Sequence, residues 1–120
     1  MRMWMVKPSL LCRKHLLGEH LETHLFVGSI LEDRSLSGYV DRGLVQAESL
    51  AQRHEDLVVE MLMRGYNHQS ELPEFFIPQY LVGSQVNVER SIADLKERCS
   101  ECRSRIEREA KDGLRGNKDR

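Results

Sequence analysis

The sequence predicts an all-α protein built as one domain. Three observations carry that reading. Apolar residues recur at helical spacing in three long stretches, most regularly at Val88, Ile92, Leu95, Cys99, Cys102 and Ile106, which step by 4, 3, 4, 3 and 4. Few segments alternate apolar and polar residues as half-buried strands do. Gly38 and Gly43 break the chain between the first two stretches, and two of the three prolines fall between the last two. A chain of 120 residues can bury one modest core without disulfides or a metal.

The elements follow in order. Residues 1–8 read as an extended arm, because Pro8 biases Lys7 away from helix. An extended arm sends Met3 and Met5 to one side and Arg2 and Trp4 to the other. Ser9 is the expected N-cap of a first helix over about 10–32, with Leu10, Leu17, Leu21, Leu25 and Ile30 as its buried stripe. Gly18 and Gly28 weaken that helix and suggest close approach of another backbone, the arm being the candidate. Residues 33–43 form a loop broken by Gly38 and Gly43. A second helix is expected over about 44–64, with Leu50, His54, Leu57, Val58, Met61 and Leu62 facing inward. Gly65 ends it, and Arg64 complements its negative end. Residues 66–86 read as an ordered irregular loop, with the pair Phe75-Phe76 packed on the core. Asn87 caps a third helix over about 88–110. The domain is expected to span 1–112, with 113–120 as a frayed tail, and helices 2 and 3 packing around helix 1.

Composition narrows the function classes. Charged residues make up 31% of the chain but the net charge is −1, so bulk electrostatics do not mark a nucleic-acid binder. Three cysteines without a secretory signal point to a reducing, cytoplasmic setting. The opening MRMWMVKPSLLC is interrupted by Lys7 and Pro8, and no uncharged signal-peptide core follows. No segment nears the ~20 apolar residues of a membrane span.

The chemistry concentrates in HLLGEHLETHLFVG, residues 15–28. His15, Glu19, Glu22 and Phe26 step by four, three and four, so they line one helix face. The bland alternative is a solvated surface stripe. Against it, the face includes Phe26 and is flanked by Leu16 and Leu21, which would desolvate a carboxylate and raise its pKa. If the arm folds back, the amine of Met1 meets this face. An α-amine with a pKa of about 7.8 is roughly 10–15% neutral at pH 7, whereas a lysine is below ~0.1%, so a chain start is a ready imine-forming nucleophile. Metal sites are weighed beside this. His20 and His24 have the i, i+4 spacing of helical zinc ligands, but Glu22 does not fit HExxH. Cys12-x-x-His15 and Cys99-x-x-Cys102 supply four potential ligands, yet both pairs fall inside expected helices. The expectation is therefore buried thiols and no metal.

MRMWMVKP, CRKHLLGEHLETHLFVG and RHEDLVVEMLMRGYNH together resemble the pyrimidine-dimer DNA glycosylases of the phage endonuclease V type, most closely their bacterial and archaeal branch. The resemblance implies a small all-α repair enzyme, without a cofactor, that cuts the glycosidic bond at a damaged pyrimidine and then the backbone by β-elimination. It implies that the nucleophile is the amine of the first residue. Arg2 is too large for ordinary removal of the initiator, so that residue is Met1, which lies as far before His15 as the phage amine lies before its matching histidine. The resemblance places the catalytic glutamate on Glu22, the functional histidine on His15 and the arginine near the terminus on Arg2. Glu22 would stabilise the sugar cation and shuttle protons, His15 and Glu19 would position amine and sugar, and Arg2 would hold a phosphate. Further candidate phosphate contacts are Arg13, Lys14, Lys96, Arg103 and Arg105. Leu21 and Leu25 stand where phage-type members carry arginines that grip DNA. The expected partner is double-stranded DNA with damaged or abasic sites, bound by a monomer weakly and with strong salt sensitivity. Rival readings are an abasic-site lyase or a glycosylase for another lesion, a helical interaction module using the helix 3 seam, and a zinc-binding regulator using Cys12, His15, Cys99 and Cys102.

Overall fold

The structure, a computed structural model, describes residues 1–68 and 70–118, with the side chains of residue 69 and of those beyond 113 outside the description. It is 64% helical, without strands among the described residues. Five helices follow one another: α1 (Arg13–Leu31), α2 (Ser37–Asp41), α3 (Leu50–Met63), α4 (Val88–Arg98) and α5 (Ser100–Lys118). Single 3-10 turns at Pro8–Leu10, Ala47–Ser49 and Gln79–Leu81 bend the connections.

The arm runs between two apolar clusters and helps to form both. Trp4 and Val6 enter one, with Leu11, Leu16, Leu57, Met61, Leu95 and Ile106. Met3 enters the other, with Phe26, Val27, Leu36, Val45, Leu50 and Leu81. The expected alternation holds, since Met3 and Met5 face one cluster while Arg2 covers the Trp4 ring. At Met5 the backbone turns through φ +58, a region costly for a side-chain-bearing residue. Backbone hydrogen bonding fixes the register: the Met3 N–H donates to the Leu44 carbonyl at 2.7 Å. Arg64 anchors the other end of the arm. Its Nη2 donates to the carbonyls of Leu11 at 2.7 Å and Pro8 at 3.2 Å, while its Nε pairs with Glu60 at 2.7 Å. Arg64 thus serves the arm as well as its own helix end.

Several boundaries differ from the sequence reading. Pro8 starts a separate 3-10 turn and Leu11 is extended, so Cys12 caps α1 in place of Ser9, its Sγ accepting from the His15 N–H. α1 has no single apolar stripe: it buries Leu16, Glu19, Thr23, Phe26 and Val27, while Leu21 and Leu25 are exposed. The cause is a buried ion pair on its inner face, described below. A side chain at Gly18 or Gly28 would meet nothing within 4 Å, so neither marks a backbone crossing. The loop at 33–43 contains α2, which ends at Gly43 in the left-handed region (φ +67). α3 begins at Leu50, later than expected, and Leu62 points outward. Its end is as expected: Gly65 has φ +82 and the Tyr66 N–H reaches back to the Met61 carbonyl. Phe75 packs on the second cluster but Phe76 is 92% exposed.

The expected third helix is two helices. Asn87 caps α4 through the Arg90 N–H, but the backbone turns extended at Cys99 (φ −137, ψ 110) and α5 starts at Ser100. The apolar seam continues through the break, which explains why the spacing reads as one helix. α5 carries helical backbone to Lys118 in the stretch read as a tail, and residues 119–120 lie outside the described residues. No helix among the described residues is long and apolar enough to cross a membrane.

Removing the Met3 side chain tests the arm's place in the core. Met3→Ala is expected to cost about 2–5 kcal/mol of unfolding free energy, measured by urea denaturation.

Candidate active site

The fold-back of the arm sets residue 1 against the middle of α1. A cleft of about 310 Å³ opens there, lined by Met1, Arg2, Trp4, Lys14, His15, Gly18, Glu19 and Glu22. The absence of a side chain at Gly18 keeps its floor open. Glu22 is half-buried, and burial raises its pKa. That effect outweighs three opposing ones: a hydrogen bond from the Arg2 backbone N–H, the charge of the Met1 amine and the Arg2 guanidinium. The Glu19 charge adds to the upward shift. The sequence expectation of a desolvated carboxylate on this face is thus met at Glu22, with the arm and not Leu21 covering it.

Glu19 is completely buried and both its oxygens are occupied. The Arg53 Nε donates to Oε2 at 2.7 Å and Nη2 to Oε1 at 2.8 Å. Arg53 on α3 is itself 4% exposed. Such a bidentate pair holds α1 against α3 and turns the Glu19 carboxylate toward Arg53, with one bond to each oxygen. Its contribution is to fix the floor of the cleft and to press negative charge toward Glu22. Arg53 escaped the sequence reading, although a buried glutamate on α1 requires a cation from a facing helix.

His15 lines the cleft, but its Nδ1 lies 3.2 Å from Cys12 Sγ and 3.6 Å from Cys102 Sγ. Its ring meets Trp4 edge-on at 5.6 Å. Burial, assisted by the Lys14 charge, lowers its pKa, so the imidazole is neutral at pH 7. Arg2 is not a free phosphate grip: it pairs with Asp94 at 3.1 Å, and its guanidinium carbon lies 3.7 Å over the Trp4 ring. Arg13 stacks on Tyr66 at 4.5 Å, and Arg105 donates to the Ser9 carbonyl at 3.1 Å. Lys14 is exposed and borders the cleft. Lys96 and Arg103 are exposed on α4 and α5 and form no part of the cleft lining. A larger groove of about 760 Å³ lies elsewhere, between α3 and residues 71–77. Glu48, Glu55, Glu71 and Glu74 border it, a charge that repels phosphates.

The cysteines and histidines gather in two places. Cys12, His15, Cys99 and Cys102 bring their ligand atoms within 4.8 Å of one another, as do His20, His54 and His68. The ground on which a metal is set aside in the sequence, that both Cys pairs lie inside helices, does not hold. Cys12 caps α1, and Cys99 occupies the α4–α5 break. Burial pushes the Cys102 thiol up to about 12. At Cys99 burial acts in the same direction, but hydrogen bonds from Cys102 and Cys12 prevail and lower it.

The structure is thus a small helical protein with its first residue beside a desolvated glutamate in an open cleft. The family model for pyrimidine dimer DNA glycosylase matches residues 1–74, and the chain belongs to that family. The match spans the arm, α1 and α3, the elements that build the cleft. No curated protein and no solved structure gives a significant match.

The buried pair makes a testable statement about stability. Arg53→Ala strands the Glu19 carboxylate and is expected to cost about 3–5 kcal/mol by denaturant titration. Replacing both partners, Glu19→Leu with Arg53→Met, is expected to recover most of that loss.

Proposed function

We propose that this chain removes damaged pyrimidines from double-stranded DNA and cleaves the resulting abasic site, using the Met1 amine as nucleophile and Glu22 as its acid-base partner. The supporting observation is the Glu22 carboxylate: it receives the Arg2 N–H and feels the Met1 charge within a cleft open to a sugar.

The steps follow from ordinary amine chemistry. The neutral amine gives its lone pair to C1′ while the glycosidic bond breaks and its electron pair leaves with the base. Glu22, as carboxylate, stabilises the positive charge on the sugar. It then accepts a proton from the new C–N nitrogen and returns one to the ring oxygen as the sugar opens, giving a protonated Schiff base. Glu22, again a carboxylate, takes a proton from C2′ as the 3′ phosphate leaves by β-elimination, and water hydrolyses the imine to free Met1. A carboxyl with a raised pKa suits this two-way traffic, because a general acid-base works best with its pKa nearer the working pH. Lys14 is the cation placed to meet a phosphate at the cleft rim, and Arg2, held by Asp94, orients the backbone that feeds Glu22. Access to C1′ requires a distorted or unstacked nucleotide, which selects damaged sites.

A second reading, an abasic-site lyase or a glycosylase for another lesion, draws on one observation. The outward residues of α1 are Leu21 and Leu25, 57% and 46% exposed, which offer no charge to the DNA backbone. Incision assays on ultraviolet-damaged and abasic duplexes in parallel separate the two.

The amine mechanism requires Met1 to head the mature chain, which an intact mass tests directly. Glu22→Gln is expected to lower strand cleavage at least ~100-fold. Because the folded pKa of Glu22 is raised, its ionisation opposes folding at pH 7, and that penalty is absent below the unfolded value of about 4.3. Glu22→Gln should therefore match or exceed the parent's Tm at pH 7, with the advantage gone at pH 4. A peptide extension ahead of Met1 is expected to abolish cleavage, and unchanged cleavage would contradict the proposal.

A further inference from the structure

We infer that the chain binds two transition-metal ions, a zinc ion at Cys12, His15, Cys99 and Cys102, and a second divalent ion at the histidine cluster of α1, α3 and residue 68.

Two edges of the first site match those of a zinc tetrahedron. Zinc held about 2.3 Å from sulfur and about 2.0–2.1 Å from nitrogen sets two sulfurs about 3.8 Å apart and a sulfur and a nitrogen about 3.6 Å apart. Cys12 Sγ and Cys99 Sγ are 3.8 Å apart, and Cys102 Sγ and His15 Nδ1 are 3.6 Å apart. The Cys12 Sγ to His15 Nδ1 edge is 3.2 Å. Each sulfur also accepts one backbone N–H: Cys12 from His15 at 3.5 Å, Cys99 from Cys102 at 3.4 Å, Cys102 from Cys12 at 3.2 Å. These donors suit thiolates. Both pairs open a helix, so the Sγ of Cys12 and that of Cys99 each meet the N–H three residues on, where the positive helix end favours negative charge. The break at Cys99 leaves the first N–H groups of α5 without helical partners, and Cys99 Sγ takes the one of Cys102.

The site ties the start of α1 to the α4–α5 junction. It also fixes the ring of His15. With Nδ1 on the metal, the remaining nitrogen Nε2 belongs to a ring that lines the cleft. The zinc thereby sets the tautomer of His15 without itself entering the cleft.

A separate observation carries the second site. The Nε2 atoms of His20, His24, His54 and His68 are all buried and have no hydrogen-bond partner among the described residues. His54 is 1% exposed. The His20 ring centroid lies 4.9 Å from those of His54 and His68, and His24 lies 5.0 Å from both His20 and His54. His20, His54 and His68 bring ligand atoms within 4.8 Å of one another, with His24 packed beside them, and a metal cation would take up nitrogen lone pairs that nothing else among the described residues engages. Neutral imidazole is the metal-binding form, and an all-nitrogen set suits zinc, iron, nickel or copper.

The test is the metal content of the full chain, purified under reducing conditions without chelator and then titrated with zinc alone. Two ions per chain are expected. Cys99→Ser with Cys102→Ser should leave one, and His54→Asn with His68→Asn should leave the other. Cobalt substitution of the unmodified chain needs no variant to fold: thiolate-to-cobalt charge-transfer absorption is expected from the first site, and X-ray absorption should find both sulfur and nitrogen around the bound ions. Absence of charge-transfer absorption overturns the thiolate site. A single ion in a sulfur-containing shell overturns the histidine site, and a chain that takes up no zinc overturns both.

Discussion

The position of Met3 is the constraint on which the rest depends. A buried thioether on an arm of this length fixes residue 1 to within two peptide units, and the Met3 N–H on the Leu44 carbonyl sets the register. From that follow the Arg2 N–H on Glu22, the Arg2 guanidinium between Asp94 and Trp4, and the nearby terminal amine. A terminus is normally the loosest part of a chain. Here it is packed on both sides, so an amine needs little further ordering to stand beside a carboxylate, and avoided ordering is a large part of what a preorganised site contributes.

Beneath the cleft the α1–α3 contact is polar in an unusual place. Glu19 and Arg53 are buried together, and the residues next to them in sequence, His20 and His54, belong to the histidine cluster. A buried pair of this kind is weak evidence of net stability but strict about geometry, since either partner alone is costly. It fixes the rotation of α1 about its axis, which decides that Glu22 and His15 face the arm while Leu21 and Leu25 face outward. The thiol cluster works from the other end of α1, so the cleft lies between two clamps.

Much of this was legible in the sequence. The all-α class, the extended arm with its alternating sides, the Asn87 cap and the Gly65 stop rest on local rules that tertiary context rarely reverses. The shared face of His15, Glu19 and Glu22 was legible from spacing alone; a raised carboxylate pKa on that face was expected from Leu16 and Leu21, whereas the arm is what covers Glu22. The division of labour within that face was not. Spacing cannot tell that Arg53, 34 residues away, would claim Glu19, nor that Asp94 would claim Arg2. The break at Cys99 was hidden because the apolar period continues across it. With the break hidden, Cys99 and Cys102 read as buried core thiols inside one helix. The meeting of His20 and His24 with His54 and His68 was equally hidden, because the rule applied was a motif within one helix and the cluster is assembled from three segments.

The most direct test of the central claim is to locate the covalent bond. The protein is incubated with a duplex carrying an abasic site, reduced with borohydride, digested, and its modified peptide sequenced by mass spectrometry. The account predicts a deoxyribose remnant on the α-nitrogen of Met1. A remnant on a lysine side chain, Lys14 included, or no adduct while strands are still cleaved, would contradict it.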